Sequence, residues 1–327
     1  MKYLLAFLTT ITAAFAADRT SAPSGCLTVG SGGQFSTIQS AVDSLSTSSS
    51  SAQCIFIQPG TYSEQVLVSA RKAQLTVYGF TKDTTTYSAN QVTITGSLSQ
   101  ADGLSNDETA TLRVKATNFK LYNVNVANTY GKGSQAVALS AYADSGYYAC
   151  AFTGYQDTLL AQTGNQLYSG CMISGVTDFI FGQNAPAWFE KCDIRVLSAK
   201  MGYITANGRS SSSGPSYYVF NKCDIAAASD NNVEDAAFYL GRPWGDFARV
   251  VFQRTTMSEV INAAGWRPWN TGDDRTDNVL FGEYKNKGIG ASGPRASFAT
   301  TLDSAVSIKD VLGSSYSKAG YYDSSYM

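Results

Sequence analysis

The chain has 327 residues, 44 % hydrophobic and only 15 % charged, with 24 Lys plus Arg against 25 Asp plus Glu and a net charge of -1. That length allows one large or two ordinary domains, and the near-neutral balance offers no basic field to nucleic acid or an anionic membrane surface. Histidine is absent, which excludes a Ser-His-Asp triad, a Cys-His pair, His-bearing zinc sites and any His general base, and leaves chemistry to carboxylates, amides, Arg, Lys or Tyr.

Residues 1–16 read as a secretory leader: Lys2 gives the positive start, an apolar run follows, and Ala14-Phe15-Ala16 offers a cleavage site. The apolar run is too short to span a membrane, and no later segment is long enough. A secreted, soluble chain beginning near Ala17 is expected. Cys26-Leu-Thr-Val and Cys54-Ile-Phe-Ile are alternating apolar segments that can pair as strands. Six cysteines allow 15 full pairings, and Cys26–Cys54 is the expected one. Between them, Phe35-Ile38-Val42-Leu45 carries helical periodicity. The Ser46–Ser51 run predicts a flexible loop and a place for O-glycans, while the lack of N-x-S/T predicts no N-glycans.

The middle of the chain repeats. Aligned on cysteine, YYAC150AF, YSGC171MI, FEKC192DI and FNKC223DI share one pattern, which extends to LYNV124NV and more loosely to VFQRT255TM and LFGEY284KN. The intervals are 26, 21, 21, 31, 32 and 29 residues. Each unit holds a short alternating strand bounded by turn residues, with no helix between units. Helical periodicity returns only at Ile308-Val311-Leu312. Short strands at this spacing suit a parallel β-helix, in which residues of equal phase stack about 4.8 Å apart on neighbouring coils. The expected fold is all-β: a single-domain parallel β-helix over residues 17–327, its N-terminal end capped by the Phe35–Leu45 helix. A β-sandwich is the alternative; cysteine recurring at one phase argues for a stacked interior ladder instead. The four cysteines at that phase are then expected to be able to remain as buried thiols, small apolar rungs of the core.

The repeat also aligns two acids. Cys150-AFTGYQ-Asp157 and Cys171-MISGVT-Asp178 both fit Cys-x-[FI]-[ST]-G-x-x-Asp, and Ala199 holds that phase in the next unit. Asp157 and Asp178 are therefore expected side by side on adjacent coils. Such a pair repels, so one pKa rises and the other falls. Spacing alone leaves solvent-facing acids, a calcium site and acid/base catalysis all open. Phe179-Ile180-Phe181 beside Asp178 favours partial desolvation, and a metal site would want more carboxylates nearby.

At these residues the chain resembles the pectin methylesterases (pectinesterases), above all the fungal ones. The motifs occur in order: GTYSE at 60–64, QAVAL at 135–139, GYQDTL at 154–159, DFIFG at 178–182 and LGRPW at 240–244, with a looser match around Gly265-Trp266. The resemblance spans nearly the whole mature chain and implies a right-handed parallel β-helix. It implies removal of methyl esters from methylated homogalacturonan (pectin), giving pectate and methanol, by a secreted monomer without metal or other cofactor. It assigns Asp178 as nucleophile, Asp157 as general acid/base, Gln135 and Gln156 as oxyanion donors, and Arg242 as the group that orients Asp178 and contacts substrate. Gln135, Arg242, Trp244 and Trp266 would line the sugar site; Tyr62 and Glu64 read as structural. Three departures stand out: Leu160 where many members have Tyr, Val176-Thr177 in swapped order, and Ser134 where many have His. A pectin-backbone galacturonase or lyase, and a carbohydrate-binding solenoid without activity, are the rival functions, since fold alone does not separate them.

Overall fold

The computed structural model describes residues 17–327; the expected leader lies outside them. Three sheets of eleven, seven and eight strands run along the molecule, and the chain visits them in turn, one strand of each per coil. All strand pairs within the sheets are parallel, as in Leu139↔Leu159, Tyr147↔Tyr168 and Phe152↔Ile173. The result is a right-handed parallel β-helix, the hand that parallel crossovers favour. Short runs of Val, Ile, Leu and Phe face inward from all three sheets and form one continuous core.

The repeated cysteines mark one corner. In each unit the residue before the repeat position adopts a left-handed conformation: Asn123, Ala149, Gly170, Lys191, Lys222 and Arg254. Turning the chain from the eleven-stranded to the eight-stranded sheet in one residue requires it, and Gly170 alone takes it without steric cost. Two residues earlier the side chain points inward and stacks on its counterpart: Tyr147 on Tyr168 at 4.8 Å, Tyr168 on Phe189 at 4.7 Å, Phe189 on Phe220 and Phe220 on Phe252 at 4.3 Å. Cys150, Cys171, Cys192 and Cys223 are buried free thiols. Cys171, Cys192 and Cys223 each donate to the carbonyl of the ladder aromatic one coil back, Tyr147, Tyr168 and Phe189.

Two phase assignments need correction. Gln253 pairs with Tyr284, and Lys285 is the left-handed residue, so Asn286 rather than Tyr284 matches Thr255. Likewise Ile180 pairs with Thr205, which puts Tyr203, not Ala199, in the place of Asp178 on the next coil. Before Tyr203 the turn is longer than the repeat, so counting from Cys192 cannot see the inserted residues; in the later unit Phe281 stands where a ladder aromatic is expected, but it pairs with Val250 and it is Glu283 that pairs with Phe252.

At the N-terminal end, the helix Ile38–Ser44 buries Ile38, Ala41 and Val42 against the core. Glu64 accepts hydrogen bonds from the Ile38 and Gln39 backbone N–H groups at its first turn, and the Tyr62 hydroxyl donates to the Gln58 carbonyl. These are structural roles, since a carboxylate there satisfies otherwise orphaned donors. Another short helix, Ile308–Leu312, begins a C-terminal strap over the outer face of the eleven-stranded sheet. Val306 pairs with the Gln253 side chain, Leu312 with Asn165 and Asp323 with the Tyr122 hydroxyl.

Leu27 pairs with Ile55, so Cys26 and Cys54 face each other on adjacent strands and are joined by a disulfide 28 residues apart in sequence. Replacing both with Ala should lower unfolding free energy by roughly 3 to 4 kcal/mol, read from guanidinium unfolding without reductant. The four ladder thiols should stay unmodified by alkylating reagents until the chain unfolds. Rapid native-state labelling of Cys171 or Cys192 would contradict the buried ladder.

Candidate active site

Two turns between the eight- and seven-stranded sheets carry the acids. Leu159 pairs with Ile180, which sets Asp157 next to Asp178 as the repeat requires. Both adopt left-handed backbone, φ 64° and 50°, a conformation that Asp tolerates better than most residues. The glycine three residues before each acid is demanded by packing. A Cβ on Gly175 would lie 2.4 Å from the Phe179 Cβ, and one on Gly154 would lie 2.6 Å from the Thr158 hydroxyl. Phe179 and Thr158 fill the interior, so the preceding acids turn outward, yet each is only 7 % exposed.

Arg242 reaches Asp178 with two parallel hydrogen bonds, Nε to Oδ1 at 2.9 Å and Nη2 to Oδ2 at 2.7 Å. This is the geometry in which a guanidinium fixes a carboxylate most firmly. Burial raises the pKa of both acids. For Asp178 the hydrogen bonds and charge of Arg242 oppose that rise; Asp157 is pushed well above the usual carboxylate range by burial and then by the charge of Asp178. Asp157 is thus the acid that keeps its proton, and Asp178 the one that gives it up first.

Gln135 stands on the turn one coil before Asp157, and Gln156 immediately precedes Asp157 on its own turn. The Ala136 N–H donates to the Gln156 carbonyl, so the two glutamines flank adjacent coils beside the acids. Both are half-buried, and among the described residues their side-chain amides form no hydrogen bond within the protein. Ladder amides would be bonded along the stack; these point to donors available to a ligand. Ser134 is buried and accepts from the Ala101 N–H. Val176 joins the core and Thr177 faces the groove, so the swapped order suits the pleat.

The outward row of the seven-stranded sheet forms the floor: Ser140, Leu160, Phe181, Ala206 and Arg242 occupy equivalent positions on successive coils. Leu160 and Phe181 pack together with the half-buried Trp244, whose ring lies 6.1 Å from Phe181. Trp266 does not reach this floor. It is 1 % exposed and stacks on Phe281 at 4.3 Å inside the core, because its bridge to Gly241 gives it an inward position. The tryptophan that does face the site is Trp269, 4.3 Å from the Arg242 guanidinium, and Tyr203 lies 4.2 Å from the same group. The signal for Trp269 was in Gly265-Trp266-Arg267-Pro268-Trp269: Pro268 cannot extend a strand ladder, so the second tryptophan leaves it.

Two concavities share Met201, and the second includes Arg242 of this row, while neither is lined by Asp157 or Asp178. One of about 730 Å³ includes Lys132, Tyr155, Gln156, Thr177 and Lys200, and one of about 530 Å³ includes Tyr203, Arg242, Arg267 and Trp269. A concavity of about 810 Å³ lies elsewhere, beside Arg19, Tyr78 and Asp323, and holds none of the acids or amides above. Among the described residues no group of three or more Cys, Asp or Glu side chains is placed to hold a metal ion.

The pectinesterase family model matches residues 27–306. A pectinesterase of Aspergillus niger is 52 % identical over the whole of this chain and 99 % of its own length, and one of Aspergillus aculeatus matches equally well. The crystal structure of the deglycosylated pectin methylesterase from Aspergillus niger superposes with a TM-score of 0.88 at 45 % identity, covering 95 % of this chain and all of that one. The chain belongs to the pectinesterase family. It is a carboxylic ester hydrolase, a pectin methylesterase on a parallel β-helix, and the backbone-cleaving rivals find no support in its relatives.

For a pectinesterase, an acid held protonated by burial has a cost in stability. The Asp157 pKa is higher in the folded than in the unfolded chain, so its contribution to stability is fully present below about pH 4 and is lost as pH rises through the folded value. Asp157→Asn should therefore gain melting temperature relative to the parent as pH goes from 3 to 7. A difference that is constant, or that falls with pH, would show that the carboxyl is not desolvated.

Proposed function

We propose that this pectinesterase is secreted after loss of residues 1–16, acts as a monomer with residues 17–327 as one catalytic domain, and demethylates the homogalacturonan of plant cell-wall pectin through its paired aspartates. The observation that carries the reading is the asymmetry of the pair: Asp178 is gripped by Arg242 on two hydrogen bonds, while Asp157 feels the Arg242 charge only at a distance and is raised by burial and by the charge of Asp178.

In this reading the ionised Asp178 attacks the carbonyl carbon of the methyl ester. The electron pair moves to the carbonyl oxygen, and the Gln135 and Gln156 amides donate hydrogen bonds to that oxyanion, each worth up to ~3 kcal/mol in comparable sites. Collapse breaks the bond to methoxide as Asp157 hands over its proton, so methanol leaves and an acyl-enzyme anhydride remains. Asp157, now a carboxylate, takes a proton from water. The hydroxide adds to the sugar acyl carbon, Asp178 departs as carboxylate, and Asp157 is again protonated. The net change is ester plus water to acid plus methanol. Trp244 offers an aromatic face to the sugar rings, with Leu160 and Phe181 as the floor beside it. Every proton and charge in the cycle is handled by side chains already in the cleft, so the reading needs no metal.

The purified protein should release methanol from methylated galacturonan without new reducing ends or unsaturated products, and equally with a chelator present. Asp178→Asn should lose at least about a thousand-fold in kcat, and Asp157→Asn about a hundred-fold or more. A methyl-ester analogue with a leaving group that needs no proton should partly restore acylation to Asp157→Asn alone. Arg242→Ala should move the acidic limb of the rate profile upward in pH, because Asp178 then holds its proton longer. Rescue of Asp178→Asn instead of Asp157→Asn would reverse the roles, and activity restored only by added calcium would end this reading.

A further inference from the structure

Arg242 is a long way from its partner along the fold. Ile180 pairs with Thr205 and Thr205 with Gly241, so Arg242 starts two coils beyond Asp178 and must cross the intervening coil to reach it. A guanidinium on so long a stem has many rotamers, and a bidentate grip needs one of them held. The intervening coil supplies both the room and the surface. Ala206, directly beneath Arg242 in the outward row, is small where its neighbours in that row are Phe181 and Leu160. Tyr203, in the place of Asp178 one coil on, sets its ring 4.2 Å from the guanidinium carbon. Trp269 lies 4.3 Å from the same carbon, and its own backbone is tied by a turn in which Trp269 N–H donates to Asp274 and Asn270 N–H to Asp273. Arg275, paired with Asp273, lies over the Trp269 ring at 5.1 Å and donates to the Trp244 carbonyl.

We infer that Tyr203 and Trp269 are positioning residues that clamp the Arg242 guanidinium between two aromatic faces and so hold Asp178 ionised and aimed for attack. The inference rests on the proposed role of Asp178 as nucleophile. Cation–π attraction on the faces leaves the guanidinium edge as the only direction for strong hydrogen bonds, and that edge is directed at Asp178. The charged and titratable groups around Asp178 are Arg242 and Asp157, with Tyr203 facing Arg242 from the intervening coil. Loosening the clamp therefore acts on Asp178 through Arg242 and leaves the other charges in place.

The experiment compares Trp269→Leu and Trp269→Phe with the parent on methylated galacturonan, with Asp178→Asn as control and melting curves to confirm folding. Tyr203→Phe and Tyr203→Leu form a second pair on the other face of the clamp, which keeps the test decisive if either Leu variant fails to fold. Each Leu variant should lower kcat ten- to a hundred-fold with KM changed less than three-fold, and should shift the acidic limb of kcat upward. Each Phe variant, which restores a π face, should recover most of the rate and the parental pH limb. A rise in KM at unchanged kcat would make Trp269 a sugar platform only and overturn the clamp, as would Phe variants no better than Leu. If Asp178→Asn itself keeps parental activity, the nucleophile assignment fails, and that result is separate from any behaviour of Trp269 or Tyr203.

Discussion

Parallel register between successive coils is the constraint from which everything else follows. Once Leu139, Leu159 and Ile180 are locked side by side by backbone hydrogen bonds, every residue at a given phase has the same residue of the neighbouring coils beside it. Inside, this turns ring into ladder and thiol into rung, so the core is a set of one-dimensional stacks rather than an irregular jigsaw. Outside, it brings acids one coil apart in sequence side by side. A globular core would need long-range topology to pair two carboxylates; a solenoid does so by repeating a phase.

The pairing is expensive, and the fold shows where the compensation sits. Burial penalises ionisation of both acids, and a single cation serves the pair, bound to one member. The asymmetry that results is what the proposed mechanism needs: one carboxylate gives up its proton first, while the other is left wanting its proton. Structural ion pairs elsewhere in the molecule are arranged differently. Asp107 is shared by Arg113 and Lys115 and bonded by Ser140, and its pKa lies below the ordinary carboxylate value. Among buried acids of one protein, the number of cations and hydroxyls supplied thus separates an acid tied down for stability from one left poised for chemistry.

The two ends and one face of the solenoid need separate protection, because a stack of coils exposes apolar core wherever stacking stops. The helix Ile38–Ser44 closes the first coil, and Glu64, in the bend after the strand Gly60–Ser63, anchors its first turn. The C-terminal strap covers the outer side chains of the eleven-stranded sheet, where Tyr122, Tyr148, Trp188 and Tyr217 face away from the core. The candidate site lies on the seven-stranded sheet instead, so the strap and the paired acids occupy different faces.

The phase of the repeat was legible in the residues themselves, because an inward cysteine and an inward aromatic recur whatever the neighbouring coil contains. That periodicity determined the parallel β-helix, the adjacency of Asp157 and Asp178 and the buried thiols; the ordered motifs marked Gln135, Gln156 and Arg242. What the sequence could not carry was phase across an inserted loop, so Tyr203 was missed, nor that Phe281 lies two residues ahead of the ladder phase, so Asn286 was missed. It also could not tell which of two tryptophans three residues apart faces the cleft. Trp266 bridges Gly241 and is drawn inward, whereas Trp269, beyond Pro268, swings over Arg242. The physical reason is one of range: phase within a strand is a local property of alternating side chains, whereas a loop side chain takes its direction from the coils it folds back upon, and only the assembled solenoid brings those coils to it.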